Sequence, residues 1–264
     1  MDLGLADATA VVQGGSRGMG RAAAECLAAE GAKVGVLARR RADADKTVAR
    51  LIALGAPDAV ALLADITNPV EVTAAFELVR QRWGALNILV NTAGPSVGGR
   101  FEELSDDDWR RAVDAGALGM IRCVRAALPL LRAAEWARVV NLSAQSTKRQ
   151  SPSLVAFTAA KSVVTSVTKN LAQSLADDEI LVNTVSPGAV LSDSLAGWAR
   201  RNGVDPEDPY AVMRGITELV GHPAFLPRAG LPHEVGRVIA FVASRHNSYM
   251  TGANINVDGG SDFC

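Results

Sequence analysis

Ala8-Thr9-Ala10-Val11-Val12-Gln13-Gly14-Gly15-Ser16-Arg17-Gly18-Met19-Gly20 is the stretch that decides the fold. An apolar run, Ala8–Gln13, passes directly into closely spaced glycines, and these open a helix-like segment, Gly18–Glu30. Glycine permits a tight turn and lets backbone approach a bound group closely. The helix beyond it offers free N–H groups and the positive end of its dipole, which together suit a pyrophosphate. The spacing Gly14-x-x-x-Gly18-x-Gly20 departs from the common G-x-G-x-x-G fingerprint, and a plain glycine-rich turn is the alternative reading.

Working outward, the same alternation continues. Short apolar runs at Lys33–Ala38, Ala59–Ala64, Asn87–Asn91, Arg138–Leu142, Glu179–Val185 and Asn254–Val257 predict further strands. Between them the period predicts helices near Arg41–Leu54, Pro69–Arg82, Asp106–Arg132, Ser153–Ala176 and His233–Ser244. Strands alternating with helices predict an α/β fold: a doubly wound, seven-stranded, mostly parallel sheet with helices on both faces. No linker or repeat divides the chain, so residues 1–264 are expected to form one dinucleotide-binding domain. The Gly- and Pro-rich stretch Leu191–Arg228 is irregular. It follows the sixth strand, and in open α/β sheets ligands bind at the carboxyl ends of strands, so residues 191–228 are expected to cover the substrate.

Composition narrows the class. The chain of 264 residues is 48% hydrophobic and 21% charged, ordinary for a globular protein, and its net charge of −1 makes no case for nucleic acid or anionic membrane. No apolar run is long enough to span a bilayer, and the start lacks the features of a secretory signal. Cys26, Cys123 and Cys264 are scattered, with neither metal-ligand nor disulfide spacing, which fits a cytoplasmic protein without a metal.

Further motifs follow the glycine turn in order. Asp65 lies after the third predicted strand, Asn91-Thr92-Ala93-Gly94 after the fourth, and Ser186-Pro187-Gly188 after the sixth. The chain ends with Tyr249-Met250-Thr251-Gly252 and Val257-Asp258-Gly259-Gly260. With Phe157-Thr158-Ala159-Ala160-Lys161, these resemble the successive motifs of the short-chain dehydrogenase/reductase family, across almost the whole chain. The resemblance implies a Rossmann-type sheet and a nicotinamide cofactor. It implies that Gly14, Ser16, Arg17, Gly18, Met19 and Gly20 cradle the pyrophosphate and that Asp65 and Ile66 contact the adenine. Asn91, Ala93 and Gly94 would lie along the ribose, although Asn91 serves equally well as a strut between backbones. Pro187, Gly188, Val190 and Ser192 would reach the carboxamide, and Lys161 the nicotinamide ribose. The family also implies a homo-oligomer, tetramer or dimer.

The end of the second strand bears on cofactor choice. An NAD enzyme places a carboxylate there for the ribose 2′-OH. Here the strand runs into Ala38-Arg39-Arg40. Arg39 and Arg17 can clamp a 2′-phosphate, which predicts NADP(H) in preference to NAD(H), unless Arg39–Arg41 is only a solvated helix start.

The chemical end departs from the family. The resemblance expects an Asn in the long helix, a Ser after the fifth strand, and Tyr and Lys one helical turn apart. These positions fall on Gly116, Ala144, Phe157 and Lys161, so only the lysine is kept. Phenylalanine and alanine keep the approximate shape but lose both hydroxyl donors. A positioned general acid is worth about 10²–10⁴-fold, and one oxyanion donor on the order of 10²–10³. Ser143 is a possible substitute, although strand alternation points it away from the face of residue 144. Ser146, Thr147 and Thr158 are other hydroxyls nearby, and Gln145 can donate a hydrogen bond but no proton. His222 lies in the covering segment. Phe101, Leu195, Trp198 and Met213 either line a pocket or belong to the core.

The leading expectation is therefore an NADP(H)-dependent oxidoreductase with an atypical site, acting on a small-molecule C=N bond, activated C=C bond or unusual carbonyl. The alternatives are a cofactor-binding pseudoenzyme or scaffold, a catalyst of elimination, isomerisation or cyclisation, and an inactivated ketoreductase.

Overall fold

The computed structural model describes residues 2–95 and 97–263; Met1 and Cys264 lie outside them. Seven strands form one sheet: β1 Thr9–Gln13, β2 Lys33–Ala38, β3 Ala59–Leu63, β4 Ile88–Asn91, β5 Ala137–Leu142, β6 Ile180–Pro187 and β7 Asn254–Val257. Their order is β3-β2-β1-β4-β5-β6-β7. Every neighbouring pair is parallel, so the sheet is wholly rather than mostly parallel. The order reverses between β1 and β4, which opens a crevice at their carboxyl ends.

Period-two alternation divides β1 between two cores. Ala10 and Val12 point to the face covered by α1 (Gly18–Ala29), α2 (Arg41–Ala53) and α9 (Pro232–Val242). Val11 points to the face covered by α3 (Pro69–Trp83), α5 (Gly119–Arg132) and α6 (Val155–Ser174). The buried strands read as nearly continuous apolar runs, as expected for a sheet covered on both sides.

Two elements differ from the sequence reading. The expected helix Asp106–Arg132 is interrupted: α4 (Asp106–Val113) passes into a π-helical segment, Asp114–Leu118, before α5. Gly116 lies in that segment, where the wider turn brings backbone close to Pro95 and Ala160. The segment read as irregular, residues 191–228, contains two helices, α7 (Asp193–Arg201) and α8 (Pro209–Val220). Ser192 caps α7 through Leu195 N, and Asp208 caps α8 ahead of Pro209. Their inner faces, with Ala199, Val212, Met213 and Ile216, make a small satellite core.

Candidate functional site

The glycine turn is shaped as its residues require. Gly14 and Gly18 have φ of 78° and 55°. A Cβ on Gly20 would collide with the Gly14 carbonyl oxygen and with Thr92 Oγ1. Arg17 is the N-cap of α1 but supplies no side-chain cap, and the first turn holds no acidic residue. The leading N–H groups of α1 thus lack a side-chain acceptor, which makes this helix end a receptor for an anion.

The turn forms one wall of a cleft of about 860 Å³ at the carboxyl ends of β1 to β4. Gly14, Ser16, Arg17, Gly18, Met19 and Gly20 line it on one side. Arg39, Asp65, Ile66, Ala93, Gly94 and Ser192 line the rest, so these expected cofactor residues share one space. The floor is tied together: Thr92 Oγ1 donates to the Gln13 carbonyl at 2.7 Å, and Gln13 Oε1 accepts from Ala93 N at 2.9 Å.

Arg39 Nη1 lies 3.9 Å from Asp65 Oδ2, and Arg17 Nη1 lies 3.9 Å from Asp193 Oδ2. Both pairs are loose and exposed, so their guanidinium groups are little constrained. Asp65 is held below the usual carboxylate range, first by the Thr67 backbone N–H and also by the Thr67 hydroxyl and Arg39. Arg111 of α4 and Arg201 of α7 also line the cleft, as does Asp114, which Arg122 holds at 2.7 Å while donating to the Ile66 carbonyl at 3.1 Å. Arg111 and Arg201 belong to no motif. Their sequence signal was only basic residues on helices that border the crevice.

Asn91 is buried and donates through Nδ2 to Asn141 Oδ1 at 2.8 Å, and Asn141 Nδ2 donates to Thr168 Oγ1 at 3.0 Å. This run of side-chain bonds joins β4, β5 and α6; Asn91 binds another side chain rather than the backbone that the strut reading expected. Its Oδ1 is buried without a partner. Pro187 ends β6, and a Cβ on Gly188 would lie 2.8 Å from Asp258 Cα, so glycine lets this loop cross the end of β7. Val190 pairs with Gly230 and lines a second cavity rather than the nucleotide cleft.

Lys161 is buried, with 3% of its surface exposed. Its Nζ donates to the Leu142 carbonyl at 2.7 Å and lies 6.0 Å from the centre of the Phe157 ring. Burial draws its ammonium down to about 8. A Cβ on Gly94 would lie 3.0 Å from that Nζ, so the glycine leaves the lysine an opening beside the cleft. Ala144 is extended, with φ −156° and ψ 151°, and leads into a short 3₁₀ turn, Gln145–Thr147.

The expected substitute, Ser143, is not available in this arrangement. Its hydroxyl donates to the Lys161 carbonyl at 3.1 Å and lies 3.0 Å from Thr165 Oγ1, against α6. Strand alternation put it there: residues 143 and 144 face opposite ways. Thr147 Oγ1 donates to the Ala144 carbonyl at 2.9 Å, and Thr158 Oγ1 donates to Ser146 Oγ at 2.9 Å. Of the apolar candidates, Met213 lines the second cavity. Leu195 and Trp198 pack on the satellite core. Phe101 is exposed and packs edge-on against Trp109.

The sequence profile described as enoyl-(acyl carrier protein) reductase matches residues 14–262. Oxidoreductase UcpA of Escherichia coli O157:H7 is 32% identical over 258 residues, covering 97% of this chain and 95% of the relative. The Pseudomonas aeruginosa RhlG/NADP active-site complex superposes with a TM-score of 0.87 at 28% identity, covering 99% of each chain. L-Sorbose reductase from Gluconobacter frateurii, complexed with NADPH and L-sorbose, gives 0.90 at 25% identity over 100% of each chain. The chain belongs to the short-chain dehydrogenase/reductase family.

Proposed function

We propose that this protein is an NADP(H)-dependent oxidoreductase that reduces a small molecule whose double bond does not need a tyrosine proton: a C=N bond, an activated C=C bond or an unusual carbonyl. The observation that carries this reading is a glycine-lined cleft at the carboxyl ends of β1 to β4, with Lys161 Nζ next to Gly94 on its wall and 6.0 Å from the centre of the Phe157 ring. The open α1 end and the glycine-lined cleft fit a dinucleotide, and Arg17 and Arg39 fit a 2′-phosphate. When bound, NADPH supplies the hydride. Gly14 to Gly20 would hold its pyrophosphate, Arg39 its 2′-phosphate and Lys161 its ribose, with the lysine supplying a positive charge from beside Gly94.

The missing hydroxyls then select the reaction. Hydride addition to an iminium carbon leaves a neutral amine, so no donor is required. An activated C=C bond would need only a proton from water after hydride addition, and the Lys161 charge would favour the anion formed. Solved neighbours named as NADP and NADPH complexes support the cofactor reading. A cytoplasmic homotetramer or dimer goes with this function. Exposed Val163 on α6, Phe241 on α9 and Tyr249 before β7 support association through those elements.

NADPH oxidation measured against a panel of cyclic imines, enones and ketones tests the proposal. Turnover of imines or enones is expected, with ketones slow. NADPH binding without turnover of any class would move the assignment to a cofactor-binding pseudoenzyme or scaffold.

A further inference from the structure

The second cavity, of about 300 Å³, adjoins the chemical end: Gln145, next to Ala144, lines it, and so does Val190 after β6. Much of its wall comes from two segments far apart in sequence. His222, Ala224 and Leu226 follow α8, whereas Asp258, Gly259 and Ser261 follow β7. The two segments meet where Leu226 N donates to the Gly259 carbonyl at 3.0 Å.

Arg149 reaches both segments. It is half-buried and stands just beyond the short turn Gln145–Thr147. Its Nη2 donates to the Gly221 carbonyl at 3.2 Å. Its Nη1 donates to the Pro223 carbonyl at 3.2 Å and to the Ser261 carbonyl at 3.1 Å. A guanidinium suits this task, because its planar fork holds several donors in fixed directions. The base of the side chain is also held: Lys148 N and Arg149 N donate to the Gln145 carbonyl at 2.8 and 3.1 Å. Lys148 adds a tie to β7, donating to Asn256 Oδ1 at 2.6 Å.

The segment after α8 depends on this one side chain. Gly221 N closes the last turn of α8 on Thr217. Among the described residues, the other hydrogen bonds from 221–225 all run to Arg149. His222 sits between the two clamped carbonyls, so the backbone that brings its imidazole to the cavity is fixed on both sides. Burial, and then the Arg149 charge, draw that imidazole below its usual range. Other charged groups at the cavity are engaged elsewhere. Arg228 holds Glu234 at 2.6 Å, and Asp258 accepts from Gly260 N and Asp262 N at 3.1 Å each.

We propose that Arg149 is a positioning residue for the second cavity: it straps the segment after α8 and the turn after β7 to the loop that carries Ala144, so that the wall bearing His222 opens and closes as one unit. Arg149 thereby sets entry to the space beside residue 144. The strap lies outside the glycine-lined cleft, so it holds whichever cofactor that cleft takes.

Amide hydrogen exchange on the full chain without cofactor, with NMR titration of the histidine rings, tests this. The chain has three histidines, so comparison with His222→Gln assigns the ring. Arg149→Met is expected to speed exchange about tenfold or more in 221–226 and 258–262 together, the loss of one or more charge-assisted bonds, while β1 to β5 stay unchanged. His222 is expected to titrate at higher pH in this variant, since its burial and the Arg149 charge are both relieved. Arg149→Lys is expected to speed the same two segments, because one ammonium does not reproduce a fork across three carbonyls. Acceleration of only one segment, or of neither, overturns the proposal. So does an unmoved His222, a lysine variant that exchanges like the parent, or equal acceleration throughout the sheet. A variant that fails to fold overturns it as well, because Arg149 would then hold the core rather than the wall.

Discussion

Pro95 occupies the space that a side chain at residue 116 needs: a Cβ on Gly116 would lie 2.8 Å from Pro95 Cδ. The same Cβ would lie 2.9 Å from Ala160 Cβ, one residue before the lysine. The position where the family resemblance expects an asparagine is therefore closed by its neighbours. Gly116→Asn is expected to destabilise the protein by about 1–3 kcal/mol, the usual cost of overpacking. Thermal unfolding should register a loss of roughly 2–4 °C for each kcal/mol. Pro95→Ala in the same chain should recover part of it. An unchanged melting temperature in Gly116→Asn would show that the loop carrying Pro95 moves aside without cost.

The proposed preference for NADP(H) rests on Arg39. A charge-assisted bond to a 2′-phosphate contributes about 1.5–3 kcal/mol, so Arg39→Ala should weaken NADPH about tenfold to a hundredfold. NADH has no 2′-phosphate and should bind the variant as it binds the parent. Fluorescence titration of both cofactors gives the comparison, and parallel losses for NADH and NADPH would remove Arg39 from phosphate recognition.

The two missing hydroxyls are open to restoration in a way that residue 116 is not. Phe157→Tyr with Ala144→Ser should raise NADPH-dependent ketone reduction by on the order of 10²-fold, the lower end for a general acid, because the asparagine expected at residue 116 stays absent. Phe157→Tyr alone should give part of the gain. No gain in the double variant, with NADPH affinity intact, would mean that the ketone does not reach residue 157.

Lys161 gives stability a pH dependence whose sign follows from its burial. Unfolded, its ammonium titrates near 10.5; folded, near 8. Between those values the unfolded chain binds more protons, so this group makes the fold more stable as pH rises from 8 to 10.5. Below 8 its destabilising effect is complete, about 3 kcal/mol at roughly 1.4 kcal/mol per unit. Lys161→Met should thus stabilise the cofactor-free protein most at pH 7 and progressively less toward pH 10, while weakening NADPH. A stability difference independent of pH would show that the lysine is charged to the same extent in both states.

The sheet and the glycine-lined cleft were legible because they depend on local rules. β1 ends at Gln13 and α1 begins at Gly18 where apolar alternation stops and the glycines start. What stayed hidden depends on tertiary packing. The π turn at Asp114–Leu118 follows from how closely Gly116 approaches Pro95, which spacing along the chain does not encode. α7 and α8 did leave a local trace, Ser192 and the Asp208-Pro209 pair, but Gly203 and the surrounding polar residues obscured it. Arg111 and Arg201 reach the cleft from elements distant in sequence, so only the assembled fold joins them to Arg17 and Arg39. At the chemical end, that the Ser143 hydroxyl is engaged by the Lys161 carbonyl and Thr165 required the packing of α6.

On the proposed function, a nucleotide bound beside Gly94 would meet two kinds of positive charge. Arg17 and Arg39 are more than half exposed, within reach of dissolved ions, whereas Lys161 is buried next to Gly94. Dissolved ions shield the first kind over about 8–10 Å and hardly reach the second. Adding salt should therefore erode the preference for a 2′-phosphate before it erodes affinity for the dinucleotide itself. In a concentrated ionic medium the protein would approach indifference between the two nicotinamide cofactors while still holding either one.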